Sequence, residues 1–250
     1  MLPRTLLLAA LLSALPAAAQ TDALSVASPD GQIQFRIAIS LPKEDYALLR
    51  PGYEISYKGK PVLLTSYIGL RIYEQDPLLG ENTGLVGHKS GSAANYNWLL
   101  AEYIQNGSLG RRLSLEVRVF NEGVAFRYLV PKTPPLDELL ISDEVTQFHF
   151  APGARVDADA TGPGEIKLPF TTQVPGAGWV EITELKIPKY PAMGLQHLAP
   201  SVLGSTLPEN GVDPDTAVAT VTPMTCPWRV ILIAPDRTSL HDAPVLSGLN

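Results

Sequence analysis

The stretch LSLEVRVFNEGVAFRYLV, residues 113–130, decides the fold class. Apolar residues occupy every second position on both sides of a central Asn-Glu-Gly triplet, residues 121–123. A period of two places the apolar side chains on one face of a β-strand. The triplet ends in glycine, which is typical of a three-residue hairpin loop whose last residue has a positive φ. The stretch therefore predicts a long β-hairpin with one buried face.

The same alternation recurs along most of the chain. A turn sequence, SPDG at 28–31, precedes an alternating strand, and a second hairpin is predicted around residues 58–60. We expect one helical turn at 136–141. Over 74–94, where Gly, Ser and Asn are frequent, we expect a long loop with room for one strand inside it. The 23 prolines and 20 glycines interrupt strands at short intervals, and no internal repeat is evident. The pattern predicts an all-β fold, a large antiparallel β-sandwich. The remaining strand candidates are 24–27, 53–57, 61–64, 68–73, 96–104, 148–150, 179–187, 193–198, 217–221 and 228–234.

The first 19 residues have the features of a secretory signal peptide. Arg4 supplies a positive charge, residues 6–15 form a short apolar run, and Ala17 to Ala19 offer a small-x-small cleavage site. We therefore expect a signal peptide at 1–19, a mature domain at 20–250, and a periplasmic or secreted location. No later segment is long and apolar enough for a transmembrane helix.

Charge and cysteine content narrow the function classes. The formal net charge is −6 and no large basic cluster occurs, so neither nucleic acid nor an anionic membrane surface is expected as a partner. The one cysteine, Cys226, cannot form an internal disulfide. Its position beside an apolar strand predicts a buried structural thiol rather than a nucleophile.

The residues alone reveal no catalytic centre. The four histidines are scattered, with no metal-binding spacing. Residues 157–162, DADATG, begin like a calcium-binding loop, but the twelfth position is Leu168 rather than glutamate, so a solvated acidic turn is the better interpretation. Trp98 and Trp179 are open between core packing and sugar stacking, whereas Trp228 begins an apolar strand and is expected in the core.

A series of motifs, in order along the chain, resembles the N-terminal domain of glycoside hydrolase family 97. The most specific is RVFNEGVAFRY, and the resemblance extends over essentially the whole mature chain. The motifs are SPDG at 28–31, YKGKP at 57–61, SYIGL at 66–70, RVFNEGVAFRY at 118–128, ITE at 182–184, YPAM at 190–193 and PWRVI at 227–231.

The resemblance carries several expectations. It implies a β-super-sandwich fold of the galactose-mutarotase type, placed beside a (β/α)8 barrel that carries the catalytic carboxylates, in enzymes with α-glucosidase or α-galactosidase activity. No catalytic residue is therefore expected here, and a barrel on another chain is the expected partner. One calcium ligand is implied at Glu184, although Leu185 stands where the family usually has alanine. Calcium is then expected as a cofactor only together with that barrel.

Three functions remain open at this stage. The first is a non-catalytic module that supports a separate or missing barrel. The alternative is a free-standing carbohydrate-binding module for an α-glucan or α-galactoside. An enzyme with an unrecognised site on the sandwich is a further rival.

Overall fold

The computed structural model describes residues 23–43, 47–107, 110–134, 136–156, 166–212, 215–241 and 245–249. The expected signal peptide and the acidic turn at 157–162 lie outside these residues. Strands make up 60% of the structure and helices 3%, as the alternation predicted. No helix in the described part of the chain is long and apolar enough to cross a membrane.

Nineteen strands are present in the described residues, most of them short and bounded by Gly or Pro turns. A short helix, α1 (Thr238–His241), and a 3-10 turn (Leu246–Leu249) follow the last strand. The strands are β1 (Leu24–Ala27), β2 (Ile33–Ser40), β3 (Arg50–Tyr57), β4 (Lys60–Tyr67), β5 (Leu70–Ile72), β6 (Gln75–Leu79), β7 (Thr83–Ser92), β8 (Tyr96–Gln105), β9 (Arg112–Phe120), β10 (Gly123–Val130), β11 (Glu138–Glu144), β12 (Gln147–Phe150), β13 (Phe170–Val174), β14 (Gly178–Leu185), β15 (Gly194–Ala199), β16 (Val202–Thr206), β17 (Val218–Val221), β18 (Met224–Thr225) and β19 (Trp228–Ala234).

The strands form three antiparallel sheets. A seven-stranded sheet has the order β1-β2-β3-β4-β12-β16-β15, and an eight-stranded sheet has the order β13-β14-β19-β10-β9-β8-β7 with β18 paired to β10. A four-stranded sheet, β17-β11-β5-β6, completes the fold. The main core contains residues of both large sheets: the ring of Tyr53 stacks on Phe35 at 5.6 Å and tilts against Phe126 at 5.2 Å between centroids. The predicted β-sandwich is confirmed.

The central hairpin is present, but its turn differs from the prediction. Gly123 pairs with Phe120, so the loop contains two residues, and Gly123 belongs to β10 without a positive φ. Glycine is needed there for another reason: a Cβ at this position would overlap the carbonyl oxygen of Ile231 on the neighbouring β19. The second hairpin is also tighter than predicted, with Lys58 and Gly59 alone in the turn and both at positive φ.

Two local predictions were wrong. Residues 136–141 do not form a helical turn, because β11 pairs with β5 and β17 through this segment. Residues 74–94 are mostly strand, with two strands, β6 and β7, where a long loop with room for one strand was expected. Among the described strands, β7 pairs with β8 alone. It is largely exposed, so it lacks the apolar alternation that marks a half-buried strand.

A second apolar cluster lies on the outer face of the eight-stranded sheet. Trp228, Val230 and Leu232 point to this face from β19 and are nearly inaccessible to solvent. The chain after β19 covers them, with Leu240 and Leu249 packed into the same cluster. Trp228 is therefore in a core, as predicted, although this core lies outside the sandwich.

Candidate functional site

Glu184 lies near the end of β14, directly opposite Arg229 of β19. Its neighbour two positions back, Ile182, is fully buried in the main core, so the alternation of the strand directs Glu184 toward the interior between the sheets. Glu181 points to the other face, where its Oε2 accepts a hydrogen bond from the Thr171 hydroxyl at 3.2 Å. The two carboxylates point apart, because residues three positions apart on a strand lie on opposite faces.

Arg229 connects Glu184 to a second carboxylate, Glu144. Its Nε donates to Glu144 Oε1 at 2.8 Å and its Nη2 donates to Glu144 Oε2 at 2.5 Å, a bidentate pair. Its Nη1 donates to Glu184 Oε2 at 2.5 Å. The side chains of Arg229 and Glu144 are fully inaccessible, and that of Glu184 is 3% exposed. We call these three residues the Arg229 cluster.

Hydroxyl groups complete the surroundings of Glu144. Thr146 Oγ1 donates to Oε1 at 2.8 Å, and the Tyr190 hydroxyl donates to Oε2 at 3.3 Å. The Tyr190 hydroxyl also lies 3.6 Å from Cys226 Sγ. Cys226 is 1% exposed, which confirms the predicted buried thiol. Every carboxylate oxygen of Glu144 is thereby hydrogen-bonded, as a buried charge requires.

Burial and charge shift the pKa values of the groups in and beside the Arg229 cluster. Burial lowers the pKa of the Arg229 guanidinium, but the charge and hydrogen bonds of Glu144, together with Tyr190 and Glu184, raise it by more, so the pKa lies above its ordinary value. Burial raises the pKa of the Cys226 thiol to about 12, and it raises the pKa of the Tyr190 hydroxyl as well. The thiol and the phenol therefore stay protonated at neutral pH, which excludes both as nucleophiles.

Glu184 borders a pocket of about 400 Å³ at the edge of the sandwich. The backbone N–H of Met193 also donates to this carboxylate, with distances of 3.3 Å to Oε1 and 3.2 Å to Oε2. The other residues that line the pocket are Lys167, Leu168, Pro169, Thr183, Lys186 and Ala192.

The residues of this pocket do not form a calcium site by themselves. Calcium takes six to eight oxygen ligands, whereas Glu184 is the one carboxylate among the described residues that line the pocket, beside two lysines. Its Oε2 already accepts a hydrogen bond from Arg229. Within the described ranges, no group of three or more His, Cys, Asp or Glu side chains is arranged to hold a metal ion.

The other residues considered from the sequence lie apart from this pocket. His149 lies between the fully buried Phe148 and Phe150 and is half-buried on the opposite face. Trp98 is half-buried on the outer face of β8, and Trp179 packs against the second apolar cluster. Arg229 and Glu144 were not anticipated, because a charged residue in an alternating strand gives no sign that it is buried with a partner.

Comparisons with known proteins find a matching family and solved structures with a similar fold. The family model described as "Glycosyl-hydrolase 97 N-terminal" matches residues 26–161 and 153–250. No curated protein matches the chain. A glycoside hydrolase family 97 enzyme from Pseudoalteromonas sp. strain K8, solved in complex with acarbose, superposes with a TM-score of 0.74 at 22% identity, over 91% of this chain and 38% of that one.

A second similar structure is a beta-arabinopyranosidase, with a TM-score of 0.66 at 21% identity. The superposition extends over 85% of this chain and 40% of that one. The chain thus spans about two fifths of the length of the enzymes it superposes on. At these identities the superpositions show a shared fold. The family match runs over nearly all of the chain from residue 26, and the chain therefore belongs to glycoside hydrolase family 97, as its N-terminal domain.

Proposed function

We propose that this domain is the non-catalytic N-terminal module of a family 97 glycosidase of the α-glucosidase or α-galactosidase type. It supports a (β/α)8 catalytic barrel. The observation that carries the proposal is that 91% of this chain superposes on 38% of a family 97 enzyme. The buried charges of the Arg229 cluster agree with the proposal, because Arg229 is hydrogen-bonded to both carboxylates of the cluster. These three residues therefore do not provide a free acid and base for catalysis.

The test of this role is a hydrolysis assay on the purified domain, with aryl α-glucoside and α-galactoside substrates. We expect no turnover by the domain alone. Turnover that disappears on changing a single carboxylate of this chain would show that the domain is itself an enzyme.

We further propose that Glu184 supplies one ligand of a calcium ion at the interface with the barrel. Its carboxylate borders an open pocket, and the remaining oxygen ligands would come from the partner. Calcium should then strengthen the association of the domain with a family 97 barrel, and Glu184→Gln should weaken that effect. Glu181→Gln is the matched control, since Glu181 faces the other side of the same strand. Equal calcium dependence for the two variants would contradict the role of Glu184.

The domain is proposed to act in the periplasm or outside the cell, on the strength of the signal-peptide pattern at 1–19. N-terminal sequencing of exported protein should find a terminus near Gln20. An exported protein that keeps Met1 would contradict this.

A second candidate function, free-standing carbohydrate binding, is favoured by one observation. The indole of Trp98 lies over the backbone of Gly91, where an added Cβ would approach the ring to 2.8 Å, so one ring face is supported by the edge strand. A half-buried aromatic ring on an outer sheet face can stack on a sugar ring. Calorimetry with malto-oligosaccharides distinguishes the two functions: binding without turnover, lost in Trp98→Ala, would favour the binding module.

A further inference from the structure

We propose that Asn106 is the preferred site of spontaneous deamidation in the folded domain, where its side-chain amide is converted to a carboxylate without an enzyme. The site lies in the turn after β8 and is independent of the function proposed above. Asparagine is followed by glycine at two positions in the chain, Asn106 and Asn210. The structure separates these two positions, because their side-chain amides are held differently.

The reaction needs only the chain and water. The backbone nitrogen of Gly107, after it loses its proton, attacks Cγ of Asn106, and the bond from Cγ to Nδ2 breaks as ammonia leaves. Water then opens the resulting succinimide at either carbonyl, which leaves aspartate or isoaspartate at position 106. In balance, water is consumed, ammonia is released, and one negative charge is added to the formal net charge of −6.

Gly107 leaves its nitrogen accessible for this attack. Glycine has no Cβ to hinder the approach to Cγ, and the φ of 89° at this residue is one that glycine adopts without steric cost. A Cβ built at Gly107 would meet no atom within 4 Å beyond the adjacent residues. Asn106 and Gly107 are both exposed, so water reaches the amide and ammonia departs freely.

The Asn106 amide is free to turn toward that nitrogen. Within the described residues its Oδ1 and Nδ2 make no hydrogen bond, and Oδ1 lies beside Gly84 of β7, where an added Cβ would be 3.6 Å away. The backbone N–H of Asn106 donates to the Asn82 carbonyl oxygen at 2.7 Å. Ring closure rotates the side chain and the peptide that follows Asn106, so this hydrogen bond can stay in place during the reaction.

The side chain of Asn210 is held instead. Its Oδ1 accepts a hydrogen bond from the backbone N–H of Val212 at 2.7 Å, which makes an Asx turn. Its own backbone N–H donates to the Thr216 carbonyl oxygen at 2.8 Å. The bond to Val212 must break before the amide can turn toward the nitrogen of Gly211. The second Asn-Gly pair is therefore expected to react more slowly in the folded domain.

The experiment is incubation of the folded domain at mildly alkaline pH, with peptide mapping by mass spectrometry and methyltransferase labelling of isoaspartate. We expect Asn106 to give aspartate and isoaspartate at a rate that rises with pH, because the attacking nitrogen must lose its proton. Asn210 should react about fivefold more slowly, the factor that one ordinary hydrogen bond contributes. In the urea-unfolded chain the two sites should react at similar rates, because both are Asn-Gly.

Two variants assign the product. Asn106→Gln should remove the more acidic species that accumulates in isoelectric focusing of the wild type, because the longer side chain must close a larger ring. Asn210→Gln is the matched control and should keep that species. An Asn106 that stays intact in the folded domain while the unfolded chain reacts would overturn the proposal. Equal rates at Asn106 and Asn210 in the folded domain would overturn it as well, because the sequence alone would then set the rates.

Discussion

Glu144→Gln is the change that most directly measures the energetic role of the Arg229 cluster. The four donors around the wild-type carboxylate are Arg229 Nε, Arg229 Nη2, Thr146 Oγ1 and the Tyr190 hydroxyl. The glutamine amide keeps one acceptor oxygen. Its NH2 group, which is a donor, replaces the other oxygen and then faces the donors that were bonded to that oxygen. The guanidinium then keeps one full partner, Glu184, instead of two.

The magnitude follows from burial. Removing one partner of a buried, hydrogen-bonded ion pair costs about 3 to 5 kcal/mol, and the remaining bond to Glu184 places this variant near about 3 kcal/mol. With a urea m-value of about 1 to 3 kcal/mol/M, the midpoint of unfolding should fall by about 1 to 3 M. The assay is equilibrium urea unfolding at pH 7, followed by tryptophan fluorescence.

The matched control is Glu54→Gln. Glu54 pairs with Arg36 at 3.2 Å, but the side chains are 42% and 51% exposed. An exposed pair contributes less than about 1 kcal/mol, so the midpoint should barely move. A Glu144→Gln variant as stable as this control would refute the reasoning, because it would mean that the buried carboxylate is replaceable without cost.

Three further predictions concern single sites. Burial raises the pKa of the Asp143 carboxyl to about 6, so the folded state binds this proton more tightly than the unfolded state, whose pKa is near the ordinary 3.8. Stability should then fall as pH rises from about 4 to about 6, and Asp143→Asn should flatten that slope in denaturant titrations across this range; an unchanged slope would contradict the assignment. The Cys226 thiol should react with a disulfide reagent at pH 8 only after unfolding, because it is buried and its pKa is about 12; rapid labelling of the folded domain would contradict this. Gly123→Ala should destabilise the domain by more than Ala125→Gly in thermal unfolding, since its Cβ meets the Ile231 carbonyl, and a smaller effect would contradict the packing of β10 on β19.

Local pattern was enough for the fold class. The alternation in residues 113–130 predicts two strands with one buried face, and the strand at 228–234 was located at its observed bounds. Turn chemistry at SPDG and around Gly59 located the connections between strands, because positive φ and side-chain capping act over a few residues. These features depend on neighbours along the chain, and a period of two is visible wherever one face of a strand is buried.

The site depended on strand order. Glu144 lies 85 residues from Arg229 in the sequence, and Glu184 lies 45 residues from it. The alternation of β14 shows that Glu184 shares a face with Ile182, but it does not show that this face carries an arginine directly opposite. The pairing of β14 with β19 decides that, and the hydrogen bonds from Arg229 to Glu144, the last residue of β11, add the second carboxylate.

Only the tertiary structure shows what covers the outer face of the eight-stranded sheet. Trp228, Val230 and Leu232 alternate with inward residues that are equally buried, so β19 is apolar on both faces and its pattern does not identify which face is the core. The chain after the strand resolves this by packing Leu240 and Leu249 on the outer face. Apolar area is removed from water wherever a second surface covers it, and that surface is defined only when the chain is folded.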